Sequence, residues 1–216
     1  MSVRVKICCI SSVEEALTAL NHGAHALGLV GSMPSGPGVI SDEEISKIVA
    51  AIPPETNTFL LTSETSIEEI AAHHGKTRTK TIQIVDSLKV GSHADLRSRL
   101  PKTDIVQVLH VLGEETIDEA VRISSSVDFI LLDSGNPNLA TKELGGTGRT
   151  HDWRVSRKIV EAVNVPVYLA GGLNAQNVVE AVGAVGPYGV DLCSGVRTDG
   201  ELDARKLEAF FHALGK

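Results

Sequence analysis

The sequence has few aromatic residues, few cysteines and fewer basic than acidic side chains. Its 216 residues include four Phe, two Tyr and one Trp, so stacking platforms for nucleic-acid bases are not expected. The 20 Lys and Arg against 27 Asp and Glu give a formal charge of −7, which disfavours nucleic-acid and anionic-membrane surfaces. We therefore expect a small-molecule partner and a core of Val, Ile, Leu and Ala.

The three cysteines, two of them adjacent as Cys8 and Cys9, form neither an even disulfide framework nor the Cys-x-x-Cys spacing of a structural zinc site. A reducing compartment fits this pattern. No apolar run approaches the roughly 18 residues that a membrane-spanning helix needs, and the opening 1–6 lacks the apolar block of a signal peptide. These absences predict a cytoplasmic protein with no membrane partner.

The sequence does contain a regular alternation of short β-branched runs with helix signals. Such alternation indicates a parallel sheet, whose strands read as apolar runs because both faces are buried. Successive runs begin about 26 residues apart, near the length of one unit of an eight-fold βα barrel. We predict an α/β protein with one domain over 1–216, a single (β/α)8 TIM barrel, with a doubly wound sheet as the alternative. The predicted strands are Val3–Cys8, Ala26–Val30, Thr58–Leu61, Thr81–Val85, Ile105–Val108, Phe129–Leu132, Val165–Leu169 and Tyr188–Cys193.

Several helices between these strands are indicated by capping residues and acidic first turns. After Ser12, the residues Val13, Ala16, Leu17 and Leu20 share one helix face. Further helices are predicted to start at Ser41, Ser66, Glu114 and Asn174. Two loops rich in Gly and Pro, Gly31–Gly38 and Gly135–Gly148, follow the second and sixth strands, where we expect them to cover a site.

Catalytic groups of a βα barrel sit at the carboxyl ends of the strands. Asp133 ends the most apolar strand, where packing explains a carboxylate poorly, and a carboxyl group there can act as a general acid. The alternative is a carboxylate satisfied by loop amides. Cys8 ends the first strand, where a thiol can act as a base or nucleophile, or pack as a small apolar group. The position-based candidates are Cys8, Cys9, Asp86, His110, Asp133 and Asp191–Ser194.

Because adjacent strand residues point to opposite faces, we expect only one of Cys8 and Cys9, namely Cys8, to face the barrel interior. The histidines His73, His74 and His212 fall on helices and are read as surface residues, so no metal triad is predicted.

Two glycine clusters follow the last two predicted strands. They are Leu169–Asn174 and Cys193–Val196. Loops at these two places in βα barrels frequently bind phosphate through backbone N–H groups near a helix N-terminus. The placement predicts a phosphorylated ligand.

These pieces together resemble phosphoribosylanthranilate isomerase, a barrel enzyme family of tryptophan synthesis, almost from end to end. Lys6–Ser11 resembles the pattern K-I-C-G-[IL]-[TR], and Leu131–Ser134 resembles L-L-D-[ST]. The remaining matches are Gly145–Gly148 with Asp152-Trp153 to G-G-[ST]-G-x-x-[FH]-D-W, Ala170–Val178 to [SA]-G-G-L-x-x-x-N-V, and Val190–Val196 to V-D-[VL]-S-S-G-V.

The resemblance implies a cofactor-free, metal-free Amadori rearrangement of N-(5-phosphoribosyl)anthranilate to 1-(2-carboxyphenylamino)-1-deoxyribulose 5-phosphate. It implies that Asp133 protonates the furanose ring oxygen and that Cys8 removes the C2 proton. It also implies that Asp191 contacts the substrate near its amine or sugar. The phosphate would be held by Gly171, Gly172, Ser194 and Gly195, and the further possible substrate contacts are Lys6, Gln83, His110, Arg149 and Arg197. A monomer and a homodimer both fit.

The sequence departs from the family pattern where the substrate is selected. Gly38 stands where the family has an arginine expected to face the anthranilate carboxylate, and glycine cannot supply that contact. Asp86 stands where a glycine is usual and would repel a carboxylate. Cys9, Cys193 and Arg197 also differ, and Arg197 or Arg149 is a candidate replacement for the missing cation.

Three functions are therefore open at this point. The first is the isomerase itself, supported by the acid, the thiol and the phosphate loops. The second is a paralogous isomerase acting on a different phosphorylated aminosugar, suggested by Gly38 and Asp86. The third is a barrel that binds a phosphorylated metabolite without catalysis, against which the presence of both Cys8 and Asp133 argues.

Overall fold

A computed structural model describes residues 3–34, 36–136 and 148–216. Eight parallel strands close into a barrel in sequential order, β1 to β8. Closure is made by β1 against β8, where Lys6 pairs with Asp191 and Ile7 with Leu192. The predicted (β/α)8 barrel is confirmed, and the doubly wound alternative is wrong. The strands are β1 Arg4–Ile7, β2 Ala26–Val30, β3 Asn57–Thr62, β4 Thr81–Ile84, β5 Asp104–His110, β6 Phe129–Asp133, β7 Val167–Leu169 and β8 Gly189–Leu192.

Eight α-helices surround the barrel within the described ranges. They are α1 Val13–Asn21, α2 Asp42–Ala51, α3 Ile67–Thr77, α4 His93–Arg99, α5 Glu115–Ser124, α6 Trp153–Ala162, α7 Val178–Val185 and α8 Ala204–Ala213.

The predicted serine caps are present at the start of the first three helices. The hydroxyl oxygens of Ser12, Ser41 and Ser66 each accept a hydrogen bond from the backbone N–H three residues later. The start predicted at Glu114 is confirmed, since α5 begins at Glu115 with Glu114 as its cap residue, although Glu114 makes no side-chain capping bond. The start predicted at Asn174 is wrong, because α7 begins four residues later, after a loop held by side-chain amides.

Apolar side chains form two layers, one between the barrel and the helices and one inside the barrel. Strand alternation separates them: Phe59 and Leu61 point inward, whereas Leu60 packs outward against the helices. Inside, Phe59 meets Tyr168 edge to face with the ring centroids 5.9 Å apart. The inner layer fills the barrel, so a ligand can enter only above it, at the carboxyl ends of the strands.

A short segment after β8 was not predicted. It comprises a 3₁₀ turn, Ser194–Val196, and a two-stranded hairpin of β9 Arg197–Thr198 and β10 Glu201–Leu202. Of the two predicted long loops, Gly31–Gly38 is described except for residue 35, and 137–147 lies outside the described residues together with most of the matched Gly145–Gly148 motif. Among the described residues, no helix is long and apolar enough to cross a bilayer.

Candidate active site

A cavity opens at the carboxyl ends of the strands, over the inner apolar layer. Its floor and walls include Val30, Leu61, Val108, Leu131 and Ala170. The predicted site residues that line it are Cys8, Cys9, Gln83, Asp133, Gly171, Gly172, Asp191, Cys193 and Ser194. The structure therefore brings together the acid, the thiol and most of the phosphate loop residues, which are scattered over the chain.

Cys8 follows β1 and continues its ladder, since its backbone N–H donates to the carbonyl oxygen of Leu192 at 2.7 Å. The residue is buried, with 5% of its surface exposed. Its thiol shares the barrel interior with Lys6, two residues earlier on the same strand face.

Lys6 and Asp191 form an ion pair inside the barrel. The Lys6 ammonium lies 2.9 Å from the Asp191 carboxylate, and the two side chains are 0% and 8% exposed. Burial opposes the charged ammonium, but Asp191 and Cys8 together raise the pKa of Lys6 above its ordinary value. Burial also disfavours the charged form of Asp191, which raises the pKa of its carboxyl group, and the Lys6 ammonium opposes that shift. Lys6 does not line the cavity but lies one layer below it, so the described lining does not support its predicted direct contact with substrate.

The expectation that only one of Cys8 and Cys9 faces the interior is also wrong, because both line the cavity. Regular strand geometry ends at Ile7, and Cys9 has a φ of 63°, in the left-handed region that favours glycine. This turn brings the Cys9 side chain to the same side as Cys8.

Cys9 is paired with Cys193 in a disulfide, with Cα atoms 5.9 Å apart. The two residues are separated by 184 positions and meet only because β1 lies beside β8. The expectation of no disulfide framework is wrong for this pair, and Cys8 is the free cysteine. The cross-link joins the segment after β1 to the start of the Ser194–Val196 turn.

Gly38 lies directly against Cys9. A Cβ atom at Gly38 would stand 2.5 Å from the Cβ of Cys9, and Gly38 has a φ of 76°. A side chain at position 38 would collide with Cys9 and strain the backbone, so the presence of Cys9 favours glycine at position 38.

Arg197 also belongs to this cluster and is not the replacement cation. Its guanidinium donates two bonds to the Glu15 carboxylate, at 2.8 and 2.9 Å, and others to the carbonyl oxygens of Gly200 and Cys9. With 6% of its side chain exposed, Arg197 is committed to the wall behind the site and does not line the cavity. The described lining does not support its predicted contact with substrate.

Asp133 ends β6 on the far wall of the cavity from Cys8 and is 7% exposed. His151 stands close to this wall, with Nδ1 3.1 Å from the position that a Cβ of Gly171 would take. Burial lowers the pKa of His151, although Asp133 and Asp152 oppose that shift. Sequence reasoning missed His151, and its place in the matched G-G-x-G-x-x-H-D-W run was the available signal.

The loops after β6, β7 and β8 meet at one rim of the cavity. A Cβ at Gly172 would stand 2.7 Å from the carbonyl oxygen of Gly148, and one at Gly195 would stand 2.0 Å from that of Leu173. Only glycine permits these approaches. The Asn177 amide steadies the rim by donating to the carbonyl oxygen of Gly172 at 3.0 Å and accepting from the Asn174 N–H at 2.9 Å.

The remaining predicted residues divide between the cavity and the surface. Gln83 lines the cavity, and its Oε1 has no hydrogen-bond partner among the described residues. Asp86 and His110 instead border a separate surface pocket, where Asp86 accepts the Ser87 N–H at 2.8 Å. The described lining therefore does not support the expected repulsion by Asp86. Arg149 is exposed and is not among the described residues that line the cavity.

The family model described as N-(5'-phosphoribosyl)anthranilate (PRA) isomerase matches residues 5–213. The chain is 38% identical over 212 residues to N-(5'-phosphoribosyl)anthranilate isomerase 2 of Methanosarcina mazei, covering 97% of this chain and 93% of the relative. It is 34% identical to the Nostoc punctiforme isomerase, covering 99% of both.

Solved structures agree with these sequence matches. Phosphoribosyl anthranilate isomerase from Thermotoga maritima superposes with a TM-score of 0.81 at 28% identity, covering 99% of this chain and 98% of that one. The complex of such an isomerase with reduced 1-(o-carboxyphenylamino)-1-deoxyribulose 5-phosphate has a TM-score of 0.78 at 26% identity, with the same coverage.

Proposed function

The chain belongs to the N-(5'-phosphoribosyl)anthranilate isomerase family, and from that premise we propose which of its residues carry out the reaction. The protein is a phosphoribosylanthranilate isomerase, an enzyme of tryptophan biosynthesis. One observation supports the assignment of roles: Cys8 and Asp133 lie at strand ends on separate walls of one cavity.

Asp133 is the general acid in this proposal. It protonates the ring oxygen of the ribosyl group, and the bond between that oxygen and C1 breaks to leave a protonated Schiff base. The buried Cys8 thiolate then takes the proton from C2, and the electron pair moves to form an enolamine. Tautomerisation of the enolamine places a proton on C1 and leaves the ketone at C2. The two side chains lie three strands apart around the barrel, which suits groups acting on different atoms of one substrate.

The substrate phosphate binds at the rim made by Gly171, Gly172 and Ser194, with Gly195 behind it. The glycines let backbone approach backbone closely, and loops after the last two strands of a barrel suit phosphate. Gln83 supports a further polar contact, since its unpartnered Oε1 can accept from a sugar hydroxyl. Asp191, at the cavity floor, can contact the sugar or amine.

The anthranilate ring fits the wall formed by Val30, Met33 and Pro37, which is apolar. No Lys, Arg or His stands in the lining contributed by residues 3–34, 36–136 and 148–216. Recognition of the anthranilate carboxylate in this enzyme therefore rests less on a guanidinium group than the family pattern implies. We expect its KM to be higher than that of a family member with the arginine, and its kcat to be similar.

The location of the enzyme stays a prediction. Its biosynthetic role supports the cytoplasm, and the burial of Cys9, which is 4% exposed, would help to protect its disulfide with the partly buried Cys193 there.

The proposal is tested by the steady-state consumption of phosphoribosylanthranilate generated in place, followed by loss of anthranilate fluorescence. Asp133→Asn should remove turnover, whereas Asp86→Asn, a matched change after β4, two strands away and outside the cavity, should leave it nearly unchanged. A wild-type rate no better than that of Asp133→Asn would contradict the proposal.

A further inference from the structure

The mechanism leaves one buried group without a role, the ammonium of Lys6. We infer that Lys6 is a positioning residue, which stabilises the thiolate of Cys8 from below and so sets the pH range in which the base is active. This inference rests on the proposed role of Cys8.

The ammonium of Lys6 and the thiol of Cys8 lie close together in the barrel interior. Lys6 and Cys8 are two residues apart at the end of β1 and point to the same side of the barrel wall. A Cβ built on Gly28, in the neighbouring strand, would stand 2.9 Å from the Lys6 ammonium and 2.7 Å from the Cys8 sulfur. The two groups thus border the same small gap, and the absence of a side chain at Gly28 leaves their direct approach unobstructed.

The second support is the absence of solvent. Lys6 is fully buried and lies over the ring of Phe59, 5.2 Å from its centroid, so no bulk water screens its charge. A buried ion pair is seldom the most stable solution, since an apolar pair of similar volume usually serves as well. The presence of Lys6 beneath the proposed base therefore points to a role in chemistry beyond neutralising Asp191.

The third support is the balance of charges that face Cys8. While Cys9 carries a thiol hydrogen, its hydrogen bond lowers the pKa of Cys8; burial opposes this, Lys6 lowers the pKa further, and Asp191 raises it. In the disulfide the Cys9 sulfur has no proton to donate, so the ammonium of Lys6 becomes the main stabilising group.

The experiment uses a chain in which Cys8 is the only thiol. The parent variant Cys9→Gly/Cys193→Ser removes the other two cysteines, and glycine suits the φ of 63° at position 9. The rate of Cys8 alkylation by iodoacetamide, measured against pH, then gives the midpoint of thiolate formation for the parent and for Lys6→Met, Asp191→Asn and the double variant Lys6→Met/Asp191→Asn.

We expect Lys6→Met to move the midpoint up by about 1 to 2 pH units and Asp191→Asn to move it down, since the two charges act in opposite directions. A general loss of packing would not produce shifts of opposite sign. The acidic limb of the pH profile of kcat/KM should move with the alkylation midpoint in Lys6→Met.

If Lys6→Met fails to fold, the double variant, which leaves no unpaired buried charge, decides the question. Its midpoint should lie above that of the parent, because Lys6 outweighs Asp191. A midpoint equal to that of the parent in whichever lysine variant folds would overturn the inference. Full turnover in Cys8→Ser would instead disprove Cys8 as the base, and the alkylation result would stand independently of it.

Discussion

The two walls of the cavity that carry the proposed base and acid are built differently. The base wall, formed by Cys8, Cys9, Asp191 and Cys193 with Lys6 buried beneath them, takes its character from buried charges and sulfur atoms fixed by the adjacent strands β1 and β8. The acid wall, formed by Asp133 with the glycine-rich loops after β6 and β7, takes its character from close backbone approach. Strands therefore tune the base, whereas loops shape the acid and phosphate side.

Departures from the family pattern concentrate on the base wall and form one connected cluster. Cys9 is bonded to Cys193, its Cβ fills the space beside Gly38, and its carbonyl oxygen accepts from Arg197. The acid wall, in contrast, agrees with the family pattern at Asp133 and at Gly171-Gly172. The residues that depart from the family pattern at the base wall are thus in direct contact, so we expect their effects on stability to be coupled.

The largest effect should come from removing either chemical group. Cys8→Ser and Asp133→Asn should each lower kcat by about 10²- to 10⁴-fold, as loss of a general base or acid does. The double variant should fall little further than the slower single one, since the groups serve one reaction path. Binding of inorganic phosphate, measured by thermal stabilisation, should persist in all three. If the loss of kcat in the double variant instead equals the product of the two single losses, the two walls act independently.

The next largest effect should follow Glu15→Ala, which removes the support of the base wall. Arg197 would be left buried without its partner carboxylate, at a cost of about 3 to 5 kcal/mol in the free energy of unfolding, measured by urea denaturation. Glu14→Ala, the exposed neighbour on the same helix, should change it by less than about 0.5 kcal/mol.

The same pair predicts a pH dependence of stability. Burial alone would raise the pKa of Glu15, but the Arg197 guanidinium and the N–H groups of Leu202 and Ser11 lower it below its ordinary 4.5. The stabilisation is therefore present above pH 4.5 and is lost as the pH falls below that value. The stability gap between wild type and Glu15→Ala should narrow on acidification, and a constant gap would argue against the ion pair as its source.

A smaller effect should come from reducing the Cys9–Cys193 disulfide. Because the cross-link restricts the unfolded chain, its reduction should cost about 2 to 4 kcal/mol in unfolding free energy, seen as a lower Tm in a phosphine reductant. The variant Cys9→Gly/Cys193→Ser should be insensitive to the reductant. An equal response of both proteins would mean that the disulfide does not stabilise the base wall.

The smallest effect should be that of Gly38→Ala, which tests whether the departures are coupled. The left-handed backbone at position 38 and the contact with Cys9 should together lower the free energy of unfolding by about 2 to 3 kcal/mol. In a Cys9→Gly background the contact is absent, and the same substitution should lower it by only about 1 kcal/mol, the cost of the backbone strain. A double-mutant cycle on thermal unfolding measures the difference. Equal costs in both backgrounds would show that Gly38 and Cys9 changed independently.

Much of the fold could be predicted because its signals are local. All eight predicted runs became the barrel strands, with ends displaced by at most two residues, and the serine caps at Ser12, Ser41 and Ser66 began helices as expected. The start at Asn174 was misplaced, since asparagine amides stabilise loops as readily as helix caps.

The sequence by itself determined the barrel, the strand ends that carry Cys8 and Asp133, and the glycines of the phosphate rim, because these depend on periodicity and on motifs of contiguous residues. Only the tertiary structure decided that Cys9 meets Cys193, that Arg197 is held by Glu15, and that Lys6 lies beneath the cavity. These contacts join positions that are more than 180 residues apart, as Cys9 and Cys193 are at a separation of 184, and they exist because barrel closure sets β1 beside β8. Charge and sulfur chemistry depend on such neighbours, and one segment of sequence cannot specify them alone.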